Sequence, residues 1–218
     1  MVRAKNLLHA NSITLPPFGY WTLEDWLTKG HECDEIRDCM LGWDLTDFGS
    51  GDFDTIGLTI FTLRNGHHTL RPYTNKTYCE KLLISEENQV TPMHYHVLKQ
   101  EDIINRAGGT IVIELHNRSG NDGLADTDVT VSLDGVKQTV PAGTQLMLTP
   151  GESITIPPFL YHRFWATEGS GPVILGEVSR VNDDLSDNYF LKKSGRFPEI
   201  DEDCSPIHYL CNEYPTAG

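Results

Sequence analysis

From Ile56 onward the chain consists of short β-branched runs cut by turn signals, and this punctuation limits the fold more than any other feature. The runs predict strands over 58–63, 78–85, 110–115, 129–133, 145–148, 153–156, 161–165 and 173–178. Asn65-Gly66, Asp134-Gly135, Pro150-Gly151 and Glu168-Gly169 separate them. No helical pattern intervenes, so the runs pair antiparallel as a sandwich or barrel. Asp134-Gly135, between Val131-Ser-Leu and Val136-Lys-Gln, is the clearest hairpin. The first forty residues read differently. Thr22-Leu-Glu-Asp25 has capping-box character before Trp26 with Gly30 as a stop, and a second short helix fits Asp34 to Leu41. The expected layout is a helical N-terminal arm with its first connection over 1–55, a barrel over 56–190, and an acidic extension over 191–218 packed on the barrel.

Charge narrows the partners. Thirty-one acidic against 17 basic residues give a net charge of −14, which would repel nucleic acid and anionic membranes. No apolar run approaches the ~18 residues needed to cross a bilayer, and Met1–Ala10 lacks the apolar core of a signal peptide. Five irregularly spaced cysteines (Cys33, Cys39, Cys79, Cys204 and Cys211) read as reduced thiols in a cytoplasmic protein.

Chemistry concentrates in Met93-His94-Tyr95-His96-Val-Leu-Lys99-Gln100-Glu101. Side chains two apart on a strand share a face, so His94 and His96 point the same way, and Glu101 follows after a turn. Downstream, Gly151 turns the chain, an apolar strand follows, Pro157 ends it and His162 opens the next. A single barrel histidine is usually a satisfied core residue. Three imidazoles with one carboxylate make a mixed site for one divalent ion, with Mn²⁺, Fe²⁺, Co²⁺ and Zn²⁺ all admissible. His9, His31, His67, His68, His116 and His208 have no such setting and read as surface residues.

These two stretches resemble the two cupin motifs, with Asn88 and Phe159 standing where glycine is usual. The resemblance implies a cupin-type double-stranded β-helix, all-β, with His94, His96, Glu101 and His162 as metal ligands. Asn tolerates a left-handed backbone, and Phe159 is expected to reshape its loop without removing a ligand. A finer resemblance runs through Tyr78-Cys-Glu-Lys81-Leu-Leu, Glu87-Asn-Gln, Lys99-Gln-Glu-Asp-Ile-Ile-Asn105-Arg, Gly176-Glu-Val-Ser, Val181-Asn-Asp-Asp and Gly195-Arg-Phe-Pro-Glu-Ile. Over roughly residues 40–203 the chain looks like the D-lyxose ketol-isomerase family. That implies Mn²⁺-dependent interconversion of D-lyxose and D-xylulose, often with D-mannose and D-fructose as a second pair.

The residues suit such a reaction independently. Aldose–ketose isomerisation passes through a cis-enediol whose adjacent oxygens a metal can hold, while a base and an acid move the proton. Glu177, isolated in an apolar strand that follows the His162 strand, is expected near the metal as the base. Lys99, between His96 and Glu101, is the expected acid; its plain alternative is a solvated loop lysine. Lys81, in an apolar strand, and Asp184, in an acidic loop, are weaker expectations as sugar contacts. Arg106, Arg163 and Arg180 are scattered, which favours an unphosphorylated sugar over a sugar phosphate. The competing classes are an Fe-dependent cupin dioxygenase and a non-catalytic sugar-binding cupin. A homodimer is the expected assembly.

Overall fold

The computed structural model describes residues 1–199 and 204–217. Thirteen strands form. The first seven are β1 (Gly42–Thr46), β2 (Leu58–Arg64), β3 (Tyr78–Ser85), β4 (Val90–Tyr95), β5 (Glu101–Gly108), β6 (Ile111–Asn117) and β7 (Val129–Leu133). The remainder are β8 (Val136–Val140), β9 (Gln145–Leu148), β10 (Ser153–Ile156), β11 (Leu160–Ala166), β12 (Val173–Arg180) and β13 (Tyr189–Phe190). All eight expected strands are present. β4 carries the His94–His96 pair and β8 is the second arm of the Asp134-Gly135 hairpin, while β1, β5 and β13 are additional, because their mixed polar sequences hide the period of two.

The strands make two antiparallel sheets. The larger runs β1-β2-β3-β12-β5-β10-β7-β8, and the smaller β13-β4-β11-β6-β9. Their inner faces meet in a core built around Leu83, Ile103, Ile113, Leu115, Ile154, Phe164, Val173 and Leu175, each at most 4% exposed. This two-sheet barrel is the expected all-β cupin architecture. One expectation about neighbours changes. Strand β12 pairs with β3 and β5 in the larger sheet, not with the His162 strand β11. Glu177 therefore approaches His162 across the barrel interior rather than along a sheet.

Strands β2 and β3 are apolar on both faces for a physical reason. Ile60 and Leu83 face the barrel core, while Phe61, Leu82 and Ile84 face outward into a second cluster with Ala4, Leu8, Leu15 and Trp43. The N-terminal arm covers that outer face, so alternation gives way to a continuous hydrophobic run. The arm holds three helices, α1 (Val2–Ala10), α2 (Leu23–Trp26) and α3 (Asp34–Asp38). Thr22 and Asp25 form the expected capping box, but α2 stops well before Gly30. Helix α1 was not anticipated: its weak amphipathic pattern buries Ala4 and Leu8 alone.

The described part of the tail returns to this arm without regular structure. Cys211 donates its backbone N–H to Trp43 O, Tyr214 stacks on Trp26 at 4.0 Å, and Arg37 reaches Pro215 O. The acidic run from Asp201 to Asp203 lies outside the described residues. His208 corrects the sequence reading, for it is 5% exposed rather than at the surface. It lies over Trp43 and bonds Trp21 O at 2.7 Å, and burial lowers its pKa. Among the described residues no helix is long and apolar enough to cross a membrane, and Cys33, Cys39, Cys79 and Cys211 are buried thiols outside any disulfide.

Candidate active site

One cavity between the two sheets is lined by all eight residues singled out from the sequence: Lys81, His94, His96, Lys99, Glu101, His162, Glu177 and Asp184. The smaller sheet supplies the imidazoles. His94 lies on β4 directly opposite His162 on β11, and His96 follows as β4 ends. The ligand-capable nitrogens of all three lie within 4.8 Å of one another.

Each ring is fixed from behind by a carbonyl. Nδ1 of His94 faces Pro92 O at 2.7 Å, that of His96 faces Asp187 O at 2.6 Å, and that of His162 faces Leu160 O at 3.0 Å. A carbonyl only accepts, so each Nδ1 carries the hydrogen and each Nε2 presents a lone pair. Burial depresses the pKa of His94 well below the usual range and that of His96 to about 3, with neighbouring cationic forms adding to the effect. Three back-bonded imidazoles with their ligand atoms this close are the donor set a divalent ion requires.

Glu101, the first residue of β5, completes the group from the opposite sheet. Its Oε1 lies 3.0 Å from His162 Nε2 and 3.6 Å from His96 Nε2. An unprotonated nitrogen facing a carboxylate oxygen at that range sets two acceptors against each other, which calls for a proton or a cation between them. Burial alone would raise the Glu101 carboxyl, but Lys99 and the imidazoles outweigh it and hold it well below the carboxylate range. The residues present therefore fit a divalent ion.

The larger sheet, with Lys81 and Glu177, and the loops carrying Lys99, Asp184 and Arg196 supply the charged groups. Lys99 Nζ sits 2.7 Å from Glu101 Oε2 and 2.9 Å from Glu177 Oε1, with Asn182 Oδ1 at 3.4 Å. Burial opposes its charge, yet the surrounding carboxylates raise its pKa. Ser179 donates to the same Glu177 oxygen at 3.1 Å. Lys81, paired across the sheet with Glu177 and 2% exposed, reaches Asp184 Oδ2 at 3.2 Å. Asp184 is thus no plain turn residue. Despite burial, its carboxyl stays well below its usual range because Arg196, Lys81 and Lys99 surround it.

Two further residues escaped the sequence reading. Arg196, its side chain 9% exposed, bonds Asp44 Oδ2 at 2.5 Å and Asp184 Oδ2 at 3.0 Å. Only its place in the Gly195-Arg-Phe-Pro stretch marked it, and no local pattern distinguishes it from a surface arginine. Asp187 accepts from the backbone N–H groups of Val97, Leu98 and Lys99 at 2.8, 3.0 and 2.9 Å. It thereby shapes the turn that carries both His96 and Lys99, and its own carbonyl holds the His96 ring. The two departures from the cupin motifs are also explained. Asn88 and Phe159 both take the left-handed backbone that glycine would otherwise supply, at φ +62° and +64°. Phe159 N–H donates to His96 O at 2.7 Å, so the substitution leaves the imidazole cluster in place.

Barrel and imidazole cluster together place the chain among cupin-fold proteins, and solved structures agree on the fold. The L-ribose isomerase of Cellulomonas parahominis with L-psicose superposes with a TM-score of 0.57 at 17% identity, covering 89% of this chain and 92% of that one. A mutant L-ribose isomerase of Acinetobacter sp. DL28 in complex with L-ribose gives 0.58 at 15% identity, with the same coverage. The chain belongs to the D-lyxose isomerase family, whose model matches residues 1–214. It is 52% identical over 203 residues to the D-lyxose/D-mannose isomerase of Serratia proteamaculans, covering 93% of this chain and 89% of the relative. The D-lyxose/D-mannose isomerase of Escherichia coli O157:H7 is 49% identical over 205 residues, covering 94% and 90%. The protein is a sugar isomerase of this family.

Proposed function

We propose that the chain is a metal-dependent aldose–ketose isomerase that interconverts D-lyxose with D-xylulose and D-mannose with D-fructose. The observation that carries this is the buried Lys99–Glu177 pair, at 2.9 Å, lining one cavity with three imidazoles. An acid–base pair beside a set of metal donors is what a C2-to-C1 proton transfer needs. The names of the relatives support the choice of sugars.

In this reading His94, His96, Glu101 and His162 hold one divalent ion, with Mn²⁺ the expected one. Such an ion supplies Lewis-acid stabilisation of negative charge developing on the sugar oxygens. Glu177 takes the proton from C2 and returns it at C1. Lys99 and Ser179 both donate to its Oε1, which leaves Oε2 as the basic oxygen. Lys99 delivers a proton to O1, which becomes a hydroxyl, and takes up the proton that O2 loses as it becomes the carbonyl. Lys81 and Asp184 contact the sugar from the same wall. The cavity is lined by three cations, Lys81, Lys99 and Arg196, and three carboxylates, Glu101, Glu177 and Asp184. With each cation paired to a carboxylate, the site suits a neutral sugar better than a phosphate. The same reading carries a homodimer in a cytoplasmic setting.

The test is a panel of aldoses incubated with Mn²⁺-loaded protein and assayed for ketose. D-Lyxose and D-mannose should be converted, with mannose 6-phosphate a poorer substrate at equal metal loading. A higher kcat/KM for the phosphate would overturn the choice of substrate. Consumption of O₂ on turnover would overturn the reaction class.

A further inference from the structure

The cavity wall carries polar groups that the protein itself does not use. Five buried side-chain atoms among the described residues have no hydrogen-bond partner, and two of them, Thr91 Oγ1 and Arg196 Nη1, belong to residues lining this cavity. A third, Asp44 Oδ1, belongs to the carboxylate that Arg196 grips. Thr91 is 3% exposed and the Arg196 side chain 9%, so bulk water does not routinely serve either. Buried polar groups are nearly always paired, and two unpaired ones among the residues lining one cavity point to a partner that enters it.

The chemistry of that partner follows from what surrounds the two groups. Nη2 of Arg196 already bonds both Asp44 and Asp184, so its positive charge is matched twice over. What remains at Nη1 is a directed donor with little net attraction for an anion. Thr91 offers a hydroxyl that both donates and accepts. Such a pair suits sugar hydroxyls rather than phosphate or carboxylate. Position separates them from the reacting end. Arg196 is joined to the Lys99–Glu177 pair only by way of Asp184 and Lys81. Thr91 lies on β4 opposite Phe164, the cross-strand position after the His94–His162 pair.

We propose that Thr91 and Arg196 form the subsite for the sugar hydroxyls beyond C1 and C2, and so set which aldoses the site accepts. This rests on the isomerase reading above. Two variants isolate the lost groups. Thr91→Val keeps the shape of the side chain and removes its hydroxyl. Arg196→Lys keeps a charge between Asp44 and Asp184 and removes the Nη1 donor.

Each is compared with the unaltered protein on D-mannose, D-lyxose and monodeoxy analogues lacking one hydroxyl at C3 to C6. On the parent sugar each variant should lose about 10- to 100-fold in kcat/KM, mainly through KM. For one deoxy analogue the unaltered protein should show the same loss, and the matching variant should add no further loss. Metal content and Tm establish that each variant is folded. If Arg196→Lys does not fold, Thr91→Val carries the comparison alone. Losses that add on every deoxy sugar, or a KM unchanged in Thr91→Val, would overturn the proposal. Calorimetric sugar binding makes the same comparison without turnover, so it holds even if the unaltered protein isomerises none of these sugars. That last result would instead remove the isomerase reading.

Discussion

The two sheets meet at one cavity but build their halves of it by different means. The smaller sheet contributes neutral imidazoles, and two of the three, His94 and His162, are held by carbonyls only two residues away in sequence. The larger sheet contributes charges that are held by residues far off in the chain. Lys81 is matched by Asp184, and Asp184 by an arginine that in turn needs Asp44. A neutral donor can be fixed by local backbone, whereas a buried charge must find an opposite charge wherever the fold brings one. The division implies that holding the imidazole donors and moving the proton are separable tasks, with Glu101 of the larger sheet facing both groups.

The most severe disruption should come on the smaller sheet. His162→Ala removes an imidazole nitrogen and leaves Glu101 facing empty space. Metal affinity should fall by more than the roughly 10- to 100-fold that an outer-sphere partner costs, with turnover lost alongside. Metal analysis after dialysis measures it, and full occupancy in the variant would end the division at once.

On the larger sheet the opposite pattern is expected. Glu177→Gln keeps size and hydrogen-bonding reach but removes the base, so turnover should fall about 10²-fold or more while the ion stays bound. Lys99→Met should act in the same direction. In D₂O the unaltered protein should place deuterium at C1 of the ketose, which NMR reads directly. A Glu177→Gln protein that keeps near-normal kcat would sink the assignment, and one that lost its ion would blur the two sheets into a single unit.

Asp187 tests the seam between them, because it shapes the turn carrying a ligand from one half and Lys99 from the other. Asp187→Asn cannot accept from three N–H groups as well as a carboxylate does. Metal affinity and kcat should each drop about 10-fold, together rather than separately. The smallest effect belongs far from the cavity. Thr22→Ala removes the α2 cap at a cost of about 1 kcal/mol in stability, with kcat unchanged.

The same contrast explains what the sequence disclosed. The HxH pair, Glu101 and His162 sit at strand spacings that physics fixes locally, so they stand out from a single chain. Lys81 and Glu177 were legible as charges in apolar strands, Lys99 stood out through its place between two ligands and the family resemblance, and Asp184 looked like part of an ordinary acidic loop. Their pairings were not, since Lys81 meets Asp184 across 103 positions and Arg196 meets Asp44 across 152. Asp187 sits in an acidic loop indistinguishable by composition from a solvated one. Glu177 was expected near the imidazoles because its strand follows that of His162; it lines the same cavity, but from the other sheet, since the chain crosses between β11 and β12.

The carboxylate that bonds Lys81 and the one that shapes the His96 turn both arrive after β12, on the stretch from Asp184 to Arg196. During synthesis, a chain released only as far as Arg180 already contains every expected metal ligand. It would lack Asp184 for Lys81, Asp187 for the His96–Lys99 turn and the arginine that gathers the carboxylates. A chain cut short there would keep Glu177 beside Lys81 but lose the Asp184 ion pair. The final fifth of the chain thus makes the charge pairing of the cavity wait for synthesis to run to Arg196.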